Sequence, residues 1–337
     1  MRPDITIVLL LAALGCQPEE EGKRVQGPDA VGFDDNGRTL ESNDFSVIEE
    51  FTYKVSPVDV LFIVDDSCSM SEEQTALNVG FPGFFSLLEV VGDQYHIGVV
   101  STDMDDPAKS GRLRTYEETT KFITADTPNA FEAFDDMLTG LGIKGSAVER
   151  GVFATNAALD FHRDGYNAGF YREEAALMVV ALSDEPDQSR DDIAYPDFLE
   201  WFLDLKPKAE PGWLTFNSII GPPGGCSSPS GDATEGEGYI ELTGNTGGVL
   251  HSICDTGFGP ALERMIGQIP TEMYTLSEEP AIETLVIVAE EPDGSVSYLQ
   301  EGDWIYYPEE MGFQLRVAIA DESTLRVRYL PLSLLVQ

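Results

Sequence analysis

Hydrophobic and polar positions follow two rhythms along this chain. Three apolar stretches run almost without interruption: residues 60–64 (VLFIV), Tyr95–Ser101 (YHIGVVS) and 175–182 (AALMVVAL). Unbroken, β-branched-rich runs of this length are the mark of strands buried on both faces of a parallel sheet. Further strands are predicted at 213–220 and 249–253. Between them the spacing turns helical: Leu77, Phe81, Phe84, Phe85, Leu88 and Val91 predict a helix over 69–91, which Pro82 should kink or divide. More helices are expected at 129–141, at 147–161 with Ser146 as N-cap, at 195–205 with Phe198, Trp201 and Phe202, at 239–246 and at 259–269. Residues 112–127 suit a short hairpin or irregular strand, 221–226 a stiff turn, and 227–236 a Gly/Ser/Asp-rich loop. This alternation through 58–269 predicts an α/β fold, a doubly wound, mostly parallel sheet with helices on both faces.

After Pro270 the rhythm changes. TLVIVAEE, SVSYLQEG, DWIYYPEE, GFQLRVAI and STLRVRYL are short β-type runs separated by Gly, Pro and acidic turns. They predict a small antiparallel β module, in which Trp304, Tyr306 and Tyr307 are core or cross-strand residues. SVIEEFTYKV at 46–55 is a further strand that could pair with it. The expected organisation is a leader at 1–15, an acidic tether at 16–45, a main α/β domain at 46–269 and the β module at 270–337.

At 337 residues, 42% of them hydrophobic with 18 Phe and 12 Tyr, the chain can bury a substantial core. Asp and Glu number 60 against 20 Lys and Arg, a formal charge of −40. That field argues against nucleic acid or anionic lipid surfaces as partners.

Residues 5–15 (ITIVLLLAALG) are apolar but too short to span a bilayer comfortably. Arg2 precedes them, Cys16 ends the Ala13-Leu14-Gly15-Cys16 run, and acidic sequence follows. This resembles a bacterial lipoprotein signal peptide cut before Cys16, whose thiol would carry the lipid; an ordinary secretory peptide is the alternative. Gln17 after the Cys points to the outer membrane by the rule known in some Gram-negative bacteria. Three cysteines then remain in an oxidising compartment, an odd count. Cys226 and Cys254 follow two predicted strands that should end on the same sheet edge, so these two are expected to pair. Cys68 is expected to stay free, packed as a small apolar residue.

Candidate chemistry gathers at the ends of the buried strands, where open α/β sheets bind ligands. The first strand closes in Asp65-Asp66-Ser67-Cys68-Ser69, and a carboxylate with two hydroxyls spaced two apart suits a hard cation. A Ser/Asp-rich helix cap is the plainer alternative. The second strand ends in Thr102-Asp103-Met104-Asp105-Asp106, taken as a solvated turn rather than a second cation site. The run at 175–182 ends in Ser183-Asp184-Glu185. Asp-x-Ser-x-Ser closing a buried strand resembles the metal-ion-dependent adhesion motif of von Willebrand factor type A (vWA) domains, and Asp184 stands where that family's third loop supplies an Asp. The middle loop of the family supplies a Thr, to which Ser146 is the nearest match. The resemblance implies a vWA/Rossmann-like domain over 58–269 with Asp65, Ser67, Ser69, Ser146 and Asp184 around Mg²⁺ (or Mn²⁺ or Ca²⁺). It also implies a protein partner presenting Asp or Glu to the metal; with the lipoprotein-like leader, this predicts a lipid-anchored envelope protein. The alternative is a structural envelope protein whose metal only stiffens the loops. A metal-dependent hydrolase is the remaining alternative, but His96, His162 and His251 form no catalytic pattern, and no enzyme is expected.

Overall fold

A computed structural model describes residues 46–54, 56–91, 94–206, 212–228, 231–269, 272–315, 317, 319–320 and 322–334. The expected leader, Cys16 and the tether at 16–45 lie outside the described residues. Among the described residues no helix is long and apolar enough to cross a membrane.

The chain enters as β1 (Val47–Thr52) and then builds an α/β unit in alternating order. This unit comprises β2 (Val58–Val64), α1 (Ser71–Val91), β3 (Tyr95–Ser101), α2 (Ala130–Thr139), α3 (Gly151–Asn156), β4 (Ala176–Ser183), α4 (Tyr195–Asp204) and β5 (Leu214–Ile220). The short hairpin β6 (Cys226–Ser228) and β7 (Gly231–Ala233), then α5 (Tyr239–Thr246), β8 (Leu250–Ser252) and α6 (Gly259–Ile266), complete it. Five strands pair in parallel in the order β3-β2-β4-β5-β8. All seven residues of β2 are buried, and its side chains divide by parity. Val60, Phe62 and Val64 join Leu77, Phe81 and Phe84 of α1 with Phe134 of α2 and Leu262 of α6. Leu61 and Ile63 face the other way, into Val152, Phe198, Phe202 and Tyr239 from α3, α4 and α5. Helices therefore cover both faces, as the two rhythms predicted.

The expected irregular segment at 112–127 lies along the free edge of β3. Ile97 and Ile123 exchange both backbone hydrogen bonds, and Arg114 N–H donates to the Val99 carbonyl at 2.8 Å. Two helical details differ from expectation. Helix α1 is continuous through Pro82, which lies on the exposed side, where water can take the Asn78 carbonyl freed by the missing donor. Helix α3 begins at Gly151 rather than 147 and continues as a π-helical turn, Ala157–Phe161. Its first turn is capped by a tertiary bond instead: Asp187 accepts Val152 N–H at 2.9 Å, doing the capping that Ser146 was expected to do.

Residues beyond 271 form β9 (Tyr274–Thr275), β10 (Val286–Glu290), β11 (Val296–Leu299), β12 (Trp304–Tyr307), β13 (Gly312–Leu315) and β14 (Thr324–Tyr329). These make two antiparallel sheets, β1-β14-β10-β11 and β12-β13-β9. The first supplies Ile287, Ala289, Leu325 and Val327 to a third core, and the second supplies Tyr274, Phe313 and Leu315. Trp304 lies opposite Leu315 and Tyr306 opposite Phe313, both half-buried against this core. Strand β1 pairs with β14 along its whole length, so 47–52 belong to this module's sheet and not to the parallel one.

Candidate metal centre

Strand order reverses around β2: the chain leaves β2 for β3 on one side and returns to β4 on the other. Loops that follow β2 and β4 therefore diverge at the carboxyl-end rim, the switch point where such sheets bind ligands. Asp65 sits there, fully buried. Its N–H continues the ladder to the Leu182 carbonyl at 2.9 Å, which fixes it beside the end of β4. Its Oδ1 accepts Ser67 N–H at 2.8 Å, and its Oδ2 accepts the Ser183 hydroxyl at 2.7 Å. The tight loop brings the Ser67 and Ser69 hydroxyls within 3.1 Å of each other. Gln74 locks the turn by donating to the Asp65 carbonyl at 3.0 Å and the Gly142 carbonyl at 3.1 Å.

Asp184 is buried, with its Oδ1 lacking any hydrogen-bond partner, while its carbonyl accepts Thr234 N–H at 3.0 Å. The middle loop docks on the first through Gly145, whose N–H donates to the Asp66 carbonyl at 2.7 Å. A Cβ at Gly145 would stand 2.2 Å from Asp66 Oδ1, so only glycine permits this approach. Ser146 does not join Asp65. Its hydroxyl donates to Asp105 Oδ2 at 2.7 Å on the exposed side and accepts Val148 N–H. Further along the same loop Glu149 is fully buried and accepts the Thr102 hydroxyl at 2.5 Å. Burial, followed by the Asp65 charge, pushes Glu149 up to about 9. Burial likewise pushes Asp65 up to about 6 against the hydrogen bonds from Ser183 and Ser67.

The second strand end is self-neutralised. Lys109 Nζ bonds Asp66 Oδ2 at 2.5 Å and Asp103 Oδ2 at 3.0 Å, and Asp66 Oδ1 accepts the Ser101 hydroxyl at 2.7 Å. Asp105 pairs with Arg150. Asp103 is thus tied to a lysine shared with the first strand's end, while Asp105 and Asp106 are exposed, as in the solvated turn expected. Cys68 departs from expectation: it is exposed, and Met70 takes the buried place beneath the loop. The Cys226–Cys254 disulfide is formed, holding the β6–β7 hairpin to the chain after β8.

The donor set suits a hard divalent cation. Asp65 and Asp184 supply carboxylates, Ser67 and Ser69 supply hydroxyls, and Asp184 Oδ1 is a buried acceptor with nothing to accept from. Among the described residues no group of three or more His, Cys, Asp and Glu is arranged to hold a metal ion, so the set named here has two carboxylates and two hydroxyls. Glu149 escaped sequence reasoning because it ends no apolar run and follows a polar segment. A carboxylate just before a helix looks like a surface acid until the fold buries it.

No family model and no curated protein matches this chain. Solved structures similar to it include a von Willebrand factor type A protein from Catenulispora acidiphila, at 12% identity and a TM-score of 0.43, covering 85% of this chain and 61% of that one. The pilus adhesin SpaC from Lactobacillus rhamnosus GG gives 10% identity and 0.37, over 86% and 42%. Proximal thread matrix protein 1 from the mussel byssus, with a zinc-occupied MIDAS motif, gives 14% and 0.38, over 65% and 47%. The chain thus spans less than two thirds of the length of each.

Proposed function

We propose that this protein is a vWA-type binding protein of the cell envelope. Its rim holds a divalent cation, Mg²⁺ or alternatively Mn²⁺ or Ca²⁺, and through it an acidic group of a protein partner. A lipid on Cys16 anchors it to the membrane, at the outer membrane or cell surface. The observation that carries this reading is the crevice where the β2 and β4 loops part, with Asp65 buried there beside the end of β4 and Asp184 Oδ1 buried without a partner. A divalent cation relieves that unpaired charge, and any position it keeps open is available to an incoming carboxylate.

Binding is favoured over turnover by where the histidines lie. His96 Nδ1 is 2.8 Å from the Phe170 carbonyl, His162 Nε2 is 3.0 Å from the Ser110 carbonyl, and His251 lies beside Asp255 and Arg264. None of these contacts involves Asp65, Glu149 or Asp184.

Isothermal titration with MgCl₂ and MnCl₂ tests the cation site: heat of binding in the wild type and its loss in Asp65→Ala are expected. Uptake undiminished by Asp65→Ala would sink the assignment. Envelope proteins retained on the immobilised chain with cation, and released by chelator, would report the partner.

A further inference from the structure

Helix α3 runs into the π-helical turn Ala157–Phe161, closed by the His162 N–H donating to the Ala157 carbonyl at 2.9 Å. This turn buries Ala157, Ala158 and Leu159 and leaves Phe161 outside, 80% exposed. A single exposed apolar residue is ordinary, but π-helical turns collect at functional sites, and this one holds a phenyl ring beside cations. Phe161 lies edge-on to His162 with ring centres 4.8 Å apart, and the His162 ring is 6.3 Å from that of Tyr166. Two cations from the segment along the β3 edge reach the same tyrosine. Arg112 Cζ is 5.1 Å and Lys121 Nζ 4.6 Å from its ring centre.

These side chains stand on a rigid base. Asn167 is buried, accepts Leu113 N–H at 3.0 Å and donates to the Gly111 and Ala158 carbonyls at 2.8 and 3.0 Å. It thereby ties the Arg112 segment to the turn that carries Phe161. Lys121 Nζ donates to the Tyr166 carbonyl. Neither Arg112 nor Lys121 has a carboxylate partner among the described residues, whereas Lys109, Arg150, Arg172 and Arg326 each do. Asp160 and Asp164 are exposed close by in the chain and pair with neither. Where acids outnumber bases 60 to 20, two cations without an acid are notable. Tyr166 holds them by the attraction of a cation for an aromatic face, which leaves their charge unneutralised.

We propose that Phe161, Arg112 and Lys121 form a docking surface for an acidic segment of a protein partner, and that this surface works without a metal. Carboxylates of the segment pair with the guanidinium and the ammonium, and an apolar side chain between them covers Phe161. Charge complementarity selects this occupant. A second copy would bring a formal charge of −40 against −40, whereas a short segment carries little long-range repulsion. A phenyl ring without polar atoms suits an apolar side chain better than a hydroxylated sugar. Interfaces concentrate aromatic residues and arginine, and because Tyr166 already orients both cations, less side-chain freedom is lost on binding.

The test is fluorescence anisotropy of a labelled peptide alternating Glu with Phe, titrated with the full chain in chelator, so that the rim around Asp65 holds no cation. Saturable binding is expected, at least tenfold weaker when Gln replaces every Glu of the peptide. Phe161→Ser and the double variant Arg112→Gln, Lys121→Gln should each lose at least tenfold in affinity. Because Phe161 is exposed, Phe161→Ser should keep the wild-type thermal midpoint, and it decides even if the double variant folds poorly. A wild type without saturable binding overturns the proposal, as does an unchanged affinity in Phe161→Ser. Tighter binding of an alginate oligosaccharide overturns the assignment to a peptide. Self-association in sedimentation that Phe161→Ser abolishes overturns it in favour of a second copy.

Discussion

Glu149 shows how much one buried carboxyl can govern. Its folded value of about 9 lies far above the 4.5 of an unperturbed Glu, because burial and the Asp65 charge both oppose ionisation. Between those two values the folded protein keeps a proton that the unfolded chain has released. By linkage, stability is full below about 4.5 and is lost as pH rises through about 9. Asp65 acts in the same direction over a lower window, from 3.8 to about 6. In chelator, the thermal midpoint should therefore decline steadily between mildly acidic and mildly alkaline pH. Glu149→Gln has no proton to lose and still offers an oxygen to Thr102, so its profile should be flatter and its midpoint higher at alkaline pH. A midpoint that climbs with pH, or a variant whose profile overlays the wild type, would contradict this account. Divalent cation should weaken the dependence in the wild type by taking the proton's place.

Among the elements, the β6–β7 hairpin is the one whose position depends on a covalent tie. The Cys226–Cys254 bond closes a separation of 28 residues, and in the chain-entropy picture a loop of that size contributes about 3–4 kcal/mol. Replacing both cysteines by serine should lower the urea-unfolding free energy by about 3 kcal/mol; a loss under about 1 kcal/mol would mean the hairpin is held by its other bonds. The elements themselves were largely legible in the sequence. Strands β2, β3 and β4 are buried on both faces, so their apolar runs are nearly continuous and admit few other interpretations. The pairing of the two cysteines followed from the same strand ends. Asp65 and Asp184 could be placed because each directly follows such a run. The burial of Glu149 could not, because burial of an acid is decided by what packs over it, and neither loop docking nor the Gly145 approach leaves a periodic trace. The start of α3 was missed for a related reason. Its cap comes from Asp187, more than thirty residues along the chain, and not from the adjacent serine.

Over the whole molecule the excess of acid dominates. A formal charge of −40 makes the compact state repel itself, and mobile ions screen exposed charges over about 10 Å at 0.1 M salt. Moving from about 10 mM to 0.5 M NaCl, where screening tightens several-fold, should raise the thermal midpoint in chelator. A midpoint that falls or stays level would show that local pairs such as Lys109 with Asp66 outweigh the global field.

The pairing of β1 with β14 also sets an order of events. Val47 finds its place opposite Tyr329, and Thr52 opposite Thr324, so a strand made early in synthesis acquires its neighbour only when nearly the whole chain exists. Every strand of the parallel sheet is complete before that moment. Long-range closures of this kind are slow because the intervening chain must first lose its freedom. The α/β unit can therefore assemble while the chain is still emerging, and the β module is the part that waits. Until it closes, Val47 and Phe51 have no sheet to pack into, and this interval is when the newly made protein is most exposed to mispairing.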